Sequence, residues 1–324
     1  MNLNNRRLIL GTRGSALALT QAEMVASALR QACPGLVVEQ KIISTMGDRR
    51  TDVPLADVAK SEGVIDKGIF LKEIEEALSC GEIDFAVHSL KDMPSVLDEK
   101  FALSAVLPRA SVEDVVISKS QEFLMCHSIA TGSVRRRFMA ARYWGDSVTF
   151  SDLRGNVPTR LSKLVANESI DAIILAKAGL ERLGLFADSR LVDGTMVFMN
   201  TLPVSSFVPS AGQGIIGLEV RAEDQAVCQI LSCINDEKTH VCARAERGFL
   251  GYLGASCSTP VGAHATLNGR GQLALRVLLF SELDNDRDPY SQVIIGKQDD
   301  PEGLARKMWD ELKASGFLSM CHQA

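Results

Sequence analysis

Short apolar runs alternate with helix-periodic stretches over the first hundred residues, and this alternation commits the chain to strand-turn-helix units of an α/β fold. Leu8–Leu10 reads as a strand ending at the Gly11 turn, after which Leu17, Met24 and Ala28 recur at helical spacing. Leu36–Ile43 reads as the next strand. Phe70, Ile74, Ala77 and Leu78 share one face of a second helix that stops at Gly81, and Ile83–Val87 follows as a buried strand. Between them, Thr45–Lys67 is polar, aperiodic and longer than an ordinary connection, which predicts either a lid-like loop or a disordered stretch.

A second α/β unit begins after Pro108. Val112–Ile117 and Ser128–Ala130 read as strands, and Val134–Tyr143 as a helix whose N-terminus carries Thr131, Ser133 and three arginines. Asn156 is placed to N-cap the next helix, with Pro158 in its first turn and Leu161, Leu164 and Val165 on its buried face. Asp171–Ala176 is a continuous apolar run after its first residue, which predicts a fully buried parallel strand. Gly212-Gln213-Gly214-Ile215-Ile216-Gly217 formally satisfies the G-x-G-x-x-G dinucleotide pattern. No strand leads into it, however, and Ile215–Val220 behind it is strand-like where that motif requires a helix. The stretch Leu202–Arg221 is better read as a crossing that returns the chain to its first domain.

Residues 225–253 then read as helical, and 258–296 as alternating strands with a turn at Gly269-Arg270-Gly271. Leu304, Met308, Trp309 and Leu312 mark a closing amphipathic helix. The expected domains are therefore residues 1–108 with 209–224, residues 109–208, and a smaller α+β domain over 225–324. At 324 residues the chain exceeds the usual size of a single core, which agrees with such a division.

Five loops place Arg or Lys beside small residues: Gly11–Ser15, His88–Pro94, Thr131–Arg137, Leu153–Val157 and Thr159-Arg160. Small residues let backbone N–H groups approach a ligand, helix N-termini add a positive dipole, and arginine presents a planar fork that matches a carboxylate. The chain as a whole is acidic, with net charge -5, which argues against general binding to nucleic acid or a membrane surface. The basic loops are thus aimed at a small anion. No apolar run reaches membrane-spanning length, and the first residues run into a strand without a long apolar region, so a cytoplasmic chain is expected. The eight cysteines lack a C-x-x-C pair and are expected as thiols, and the five histidines lack metal-ligand spacing, so no metal is expected. His88 is read as structural.

With those loops in order, the chain resembles the porphobilinogen deaminase, or hydroxymethylbilane synthase, family over nearly its whole length. The resemblance is carried by Thr12–Gln21, Ala86–Pro94, Leu153–Arg160, Asp171–Leu185, Pro209–Gly214 and Ala245–Arg247. It implies two α/β domains like those of type II periplasmic binding proteins, facing each other across a cleft, and a third domain carrying a cysteine. That cysteine, matched here by Cys257 in Gly254–Gly262, would hold a dipyrromethane cofactor through a thioether. The implied reaction is that of a transferase. Porphobilinogen, which bears acetate, propionate and aminomethyl groups, loses ammonia to give an azafulvene electrophile that the enzyme-bound pyrrole chain attacks. Four rounds build a linear tetrapyrrole, which water then releases.

By matching position, Asp92 is the expected catalytic carboxyl. Arg13, Arg154 and Arg182 would hold substrate, and Ser89, Lys91, Thr131, Ser133, Arg135, Arg136, Arg160 and Lys67 the cofactor. No nucleic acid, membrane or obligate protein partner is implied, and the chain is expected as a monomer. Gly132 replaces a residue commonly Ser in the family, Ala255-Ser256 stands where Gly-Gly is frequent, and the approach to Asp66–Phe70 is longer than usual. A noncatalytic anion-binding module would share the arginine loops but would need neither Cys257 nor Asp92. An oxidoreductase built on the glycine pattern is the weaker rival.

Overall fold

The computed structural model describes residues 6–49, 71–145, 147–256, 258–284 and 287–318. These divide into two compact units, Met1–Ala110 with Gly214–Ala243, and Ser111–Gln213 with Arg244–Ala324. Among the described residues no helix is long and apolar enough to cross a membrane.

The first unit is built on a five-stranded sheet of β1 (Arg7–Thr12), β2 (Val37–Ile42), β3 (Phe85–Ser89), β4 (Phe101–Val106) and a late strand, Ile216–Arg221. Strands β1, β2 and β3 are mutually parallel, with β1 at the centre of the three. The late strand lies between β3 and β4, antiparallel to both. The helix Ala16–Ala32 buries Gln21, Ala22, Val25, Ala26 and Leu29 on one face of this sheet, joined there by Leu8, Leu10, Phe85 and Val87. The helix Lys72–Ser79 packs Ile74, Ala77 and Leu78 with Ile83, Ala86 and Phe101 in a separate cluster. It stops where Gly81 takes φ +70°, a left-handed turn that costs glycine little. From residue 50 onward, the polar stretch expected as a lid or disordered segment lies outside the described residues, as does Phe70.

The second unit carries a six-stranded sheet whose members, in chain order, are β5 (Asp114–Ser118), β6 (Ser128–Ala130), β7 (Thr149–Ser151), β8 (Ala172–Ala176), β9 (Ser189–Val192) and β10 (Thr195–Thr201). Their spatial order is β7-β6-β8-β5-β10-β9. The late strand of the first unit is then β11 (Ile216–Arg221). The two sheets share one plan: three parallel strands with the first in the middle, then an antiparallel strand from another part of the chain, then the rest. This is the pair of type II binding-protein-like α/β domains that the family resemblance implies. The run at Ala172–Ala176 is buried as expected, but it is parallel only to β6 and antiparallel to β5, so the sheet is mixed.

The second unit also contains a three-stranded antiparallel sheet, β12 (Val261–Leu267), β13 (Gln272–Leu279) and β14 (Tyr290–Lys297), with the helix Pro301–Ala314 against it. Gly262 explains how closely this smaller α+β part approaches the larger sheet. A Cβ there would lie 2.4 Å from the carbonyl oxygen of Val208, and the next residue, Ala263, donates its N–H to Pro209 O at 2.9 Å. Glu246 is wholly buried and ties the same regions, accepting from Gly212 N and from Ala265 N at 2.7 Å each. The acidic residue of the Ala245–Arg247 motif thus satisfies two buried backbone donors.

Candidate functional site

In an open α/β sheet, ligands bind beyond the carboxyl ends of parallel strands, where neighbouring strands lead their connections to opposite sides. In the first unit that point lies between β1 and β3, since β2 continues on the far side of β1. The loop after β1 holds Arg13, and Ser15 there N-caps the following helix, its hydroxyl accepting from Ala18 N at 3.3 Å. The loop after β3 holds Ser89, Lys91 and Asp92. Gln21 of the helix after β1 hydrogen-bonds Ser89 Oγ at 2.8 Å, so the two loops are fastened side by side.

Asp92 ends a single 3-10 turn, Leu90–Asp92, in which Met93 N–H donates to Leu90 O at 3.1 Å. Leu90 and Met93 are buried, whereas Asp92 is exposed. An aspartate two residues before a proline often exists only to make its turn. Here the turn closes through backbone and apolar anchors, and the Asp92 carboxyl makes no hydrogen bond or ion pair among the described residues. Among the described residues, the turn does not depend on that carboxyl.

His88, one residue before Ser89, is buried and paired through Nε2 with Oε2 of the fully buried Glu219 at 2.9 Å, which fits the structural role read for it. Glu75, on the adjoining helix, is pushed up to about 7 by burial and then by Glu219, with His88 opposing.

In the second unit the corresponding point lies between β6 and β8, with β7 beyond β6. The loop after β6 contains Thr131, Gly132 and Ser133. Thr131 Oγ1 accepts from Ser133 N at 3.2 Å, and Ser133 N-caps the helix Val134–Trp144. The loop after β7 contains Arg154, and Asn156 N-caps the helix Val157–Ala166 by accepting from Thr159 N at 2.9 Å. Gly155 takes φ +115°, and a Cβ on it would meet Thr159 Cγ2 at 2.8 Å, so this turn requires glycine. Arg160 donates from Nε to Gly155 O at 2.7 Å, bracing the loop from within. A Cβ built on Gly132 would stand 3.0 Å from Leu153 O and 3.8 Å from Arg154 Nε, so the β6 and β7 loops meet at this residue. The helix Lys177–Arg182 follows β8, and burial lowers the Arg182 guanidinium below its ordinary value, with Glu181 opposing.

Arg135 and Arg136 are placed differently from surface clamps. Their side chains are 6% and 7% exposed, and both bind Asp114 at the start of β5. Arg135 donates to Asp114 Oδ2 and to Val208 O at 2.8 Å each. Arg136 donates to Asp114 Oδ1 from Nε at 3.1 Å and from Nη2 at 2.8 Å, and to Ile174 O at 3.0 Å. Gln213, the middle residue of Gly212-Gln213-Gly214, adds a bond to Asp114 Oδ1 at 3.0 Å. Burial by itself would raise the Asp114 carboxyl, but the two guanidiniums outweigh it and hold the group well below the ordinary carboxylate range. Two cations against one anion leave the trio with one net positive charge at the start of β5.

Sequence reading singled out neither Asp114 nor the use of Gln213, because only sheet register brings Asp114 beside residues 21 and 22 positions further along. Asp114→Asn removes the negative charge that both buried guanidiniums bind, and is expected to destabilise the protein by about 3–5 kcal/mol in urea unfolding. Because the folded carboxyl is depressed, its contribution should be complete above about pH 3.9 and be lost as pH falls toward the folded value. Wild type should therefore lose stability to acid more steeply than the Asn variant; equal slopes would mean that the trio contributes nothing.

Cys257 and Lys67 lie outside the described residues. The residues flanking position 257 form a tight hydroxyl-rich turn: Ser256 N donates to Thr259 Oγ1 at 3.1 Å, and Ser258 N to Ser256 Oγ at 3.2 Å. Among the described residues no cluster of His, Cys, Asp or Glu could hold a metal ion.

Two family models match this chain. "Porphobilinogen deaminase, dipyromethane cofactor binding domain" spans residues 8–229, and "Porphobilinogen deaminase, C-terminal domain" spans residues 240–314. Relatives named porphobilinogen deaminase include that of Syntrophomonas wolfei, 42% identical with 88% of each chain covered. That of a Roseiflexus species is 40% identical over 95% of this chain and 96% of its own. That of Nitrobacter hamburgensis is 45% identical over 84% and 82%.

Proposed function

The chain belongs to the porphobilinogen deaminase family, and from that premise we propose that it acts as a transferase joining four porphobilinogen molecules head to tail into hydroxymethylbilane, with loss of one ammonia per ring. The observation that carries this reading is made in each unit by itself: loops beyond the carboxyl ends of the parallel strands carry Arg13, Lys91 and the Asp92 carboxyl in the first unit, and Arg154 beside Thr131 and Ser133 in the second.

The donor set suits a cofactor made of acid-bearing pyrroles. Acetate and propionate groups need cationic forks and hydroxyls, and the second unit presents Arg154 against the side-chain-free Gly132, next to Thr131 and Ser133. We assign Ser89, Lys91, Thr131, Ser133, Arg135, Arg136, Arg160 and Lys67 to holding the dipyrromethane and Cys257 to its covalent attachment. Bound dipyrromethane supplies the nucleophilic pyrrole carbon on which rings accumulate. Arg135 and Arg136 act as a rigid, singly positive platform, since Asp114 already engages part of each guanidinium. Arg13, Arg154 and Arg182 orient the substrate carboxylates. Asp92 delivers a proton to the departing amine and then offers negative charge to the pyrrole nitrogens as the carbon–carbon bond forms. We read the protein as a cytoplasmic monomer without nucleic-acid, membrane or obligate protein partners.

The reading is tested by supplying porphobilinogen to the purified protein and following ammonia and linear tetrapyrrole together. Ammonia and product in a ratio of four to one are expected. Binding without ammonia release would instead make the chain an anion-binding module.

A further inference from the structure

The helix Lys72–Ser79 lies on the face of the first sheet opposite the one covered by Ala16–Ala32. On β3 that face is formed by Ala86 and His88, and on β11 by Gly217, Glu219 and Arg221, since Ala86 stands opposite Glu219 and His88 opposite Gly217. The helix is fixed to this face at both ends. At its start, Leu71 packs with Leu90 and Met93, and a Cβ on Gly217 would lie 3.0 Å from Leu90 Cδ1 and 3.6 Å from the Met93 sulfur. At its end, Arg221 donates from Nη1 to Leu78 O at 2.7 Å. From Leu71 to Leu78 the helix advances about 10 Å, and from Gly217 to Arg221 the strand advances about 13 Å. The two therefore run alongside each other in the same direction, with Glu75 and Glu219 midway between the anchors.

Glu219 is wholly buried. Its Oε2 accepts from His88 Nε2 at 2.9 Å, whereas its Oε1, also buried, has no hydrogen-bond partner among the described residues. The Glu75 carboxyl makes no hydrogen bond or ion pair among them either. A bare buried carboxylate oxygen is costly, and two carboxylates meeting beneath a helix disfavour each other's ionisation. A carboxylic proton on Glu75 removes both difficulties, because it is the donor that Oε1 lacks.

We propose that Glu75 carries a proton which it donates to Glu219 Oε1, completing a chain Glu75–Glu219–His88 that seats the helix beneath the Asp92 turn and makes Glu75 a positioning residue for that turn. The link to the turn is Leu71, one helical turn before Glu75, which packs on both apolar anchors of the turn, Leu90 and Met93. When Glu75 ionises, the two carboxylates repel, the helix is pushed from the sheet, and Leu71 withdraws its support. The charged groups on the surrounding elements are His88 on β3, Glu219 and Arg221 on β11, Asp98 ahead of β4, Lys91 and Asp92 in the turn, and Lys72 on the same helix. β1 presents the apolar Ile9 to this face, and the helix Glu237–Leu253 reaches the Leu71 cluster through Ala243. Burial, then Glu219, raise Glu75 to about 7 against the pull of His88, with Asp98 adding to the rise. Because the folded carboxyl is raised, its contribution is complete below the ordinary carboxyl range and is lost as pH rises through about 7.

The test uses full-length, cofactor-bearing protein isotopically labelled in its glutamate carboxyls and titrated by NMR. One glutamate signal should titrate near 7 and be missing from Glu75→Gln, whose amide donates to Oε1 with no proton to lose. The second readout is hydrogen exchange of the Met93 amide, which closes the turn onto Leu90 O. Corrected for the intrinsic effect of pH, its protection in wild type should fall about tenfold between about pH 6 and about pH 8. Glu75→Gln should keep that protection constant and high, and Glu75→Ala, which has no donor, constant and low. Every glutamate titrating in the ordinary carboxyl range, or Met93 protection that changes equally in wild type and Glu75→Gln, would overturn the proposal. The consequence for catalysis rests on the role proposed for Asp92: ammonia release by wild type relative to Glu75→Gln should fall over the same pH range. A constant ratio would overturn the positioning role. No ammonia from either protein would contradict the deaminase reading, on which the titration and the exchange do not depend.

Discussion

Asp92→Asn should fold, bind porphobilinogen and release ammonia at least about a hundredfold more slowly than wild type. The expectation rests on the division of labour in the first unit. Leu90 and Met93 anchor the turn, Met93 N–H closes it, and the Asp92 carboxyl makes no hydrogen bond or ion pair among the described residues. Exchanging the carboxyl for an isosteric amide therefore leaves the fold untouched. In the proposed mechanism the substrate carboxylates are held by Arg13, Arg154 and Arg182 and not by Asp92, so binding should persist. What is lost is a proton donor to the leaving amine and a negative charge facing the pyrrole cation. Asp92→Glu retains the acid but displaces it, and should fall between Asn and wild type. Single-turnover ammonia release from cofactor-bearing protein decides the matter: a near-wild-type rate in the Asn variant would reduce Asp92 to a turn residue.

Cys257→Ala should be the most damaging change to activity, abolishing turnover while leaving a folded protein. The turn around position 257 is closed by Ser256, Ser258 and Thr259, and the following strand is seated by the close approach of Gly262 to Val208. Those contacts are made by described residues on either side of position 257, and the secondary structure and melting of the variant should remain near those of apo wild type. If Cys257 carries the primer as proposed, the variant has no tethered primer and porphobilinogen should find nothing to extend. The variant should carry no covalent adduct. A normal adduct on Cys257→Ala would move the attachment to another residue and remove Cys257 from the account.

Much of the scaffold was legible because burial writes itself into apolar runs. Leu8–Leu10 and Ala172–Ala176 lie in core strands, the strand expected at Ile83–Val87 falls two residues later at Phe85–Ser89, and Ser133 and Asn156 announce their helices as N-caps. Rejecting the dinucleotide pattern was also sound: the residues after Gly214 form β11, not a helix. Edge strands were harder to see. Thr149–Ser151 and Ser189–Val192 are short and largely solvent-facing, so they carry no apolar run to betray them. The insertion of β11 between β3 and β4 is a matter of topology, to which local periodicity is blind.

At the site, the small-residue loops and their arginines were visible as types, but their partners were not. Nothing near Arg135 in sequence points to Asp114, because that pairing arises from β5 lying beside β8 and from the helix that follows β6. Hence two arginines expected to hold the cofactor are partly occupied within the protein. The motif glutamine Gln213 likewise acquires its meaning only when it reaches the same carboxylate.

The central claim is that this chain grows a tetrapyrrole on a primer that it carries covalently. Intact mass of the denatured protein tests this most directly, before and after addition of porphobilinogen at less than one equivalent and then in slight excess. The account predicts a starting mass above that of the 324-residue sequence by one dipyrromethane. It further predicts a ladder of whole added rings that collapses back to the starting mass as product leaves. A protein at the bare sequence mass that nevertheless turns over porphobilinogen, with no ladder, would contradict it.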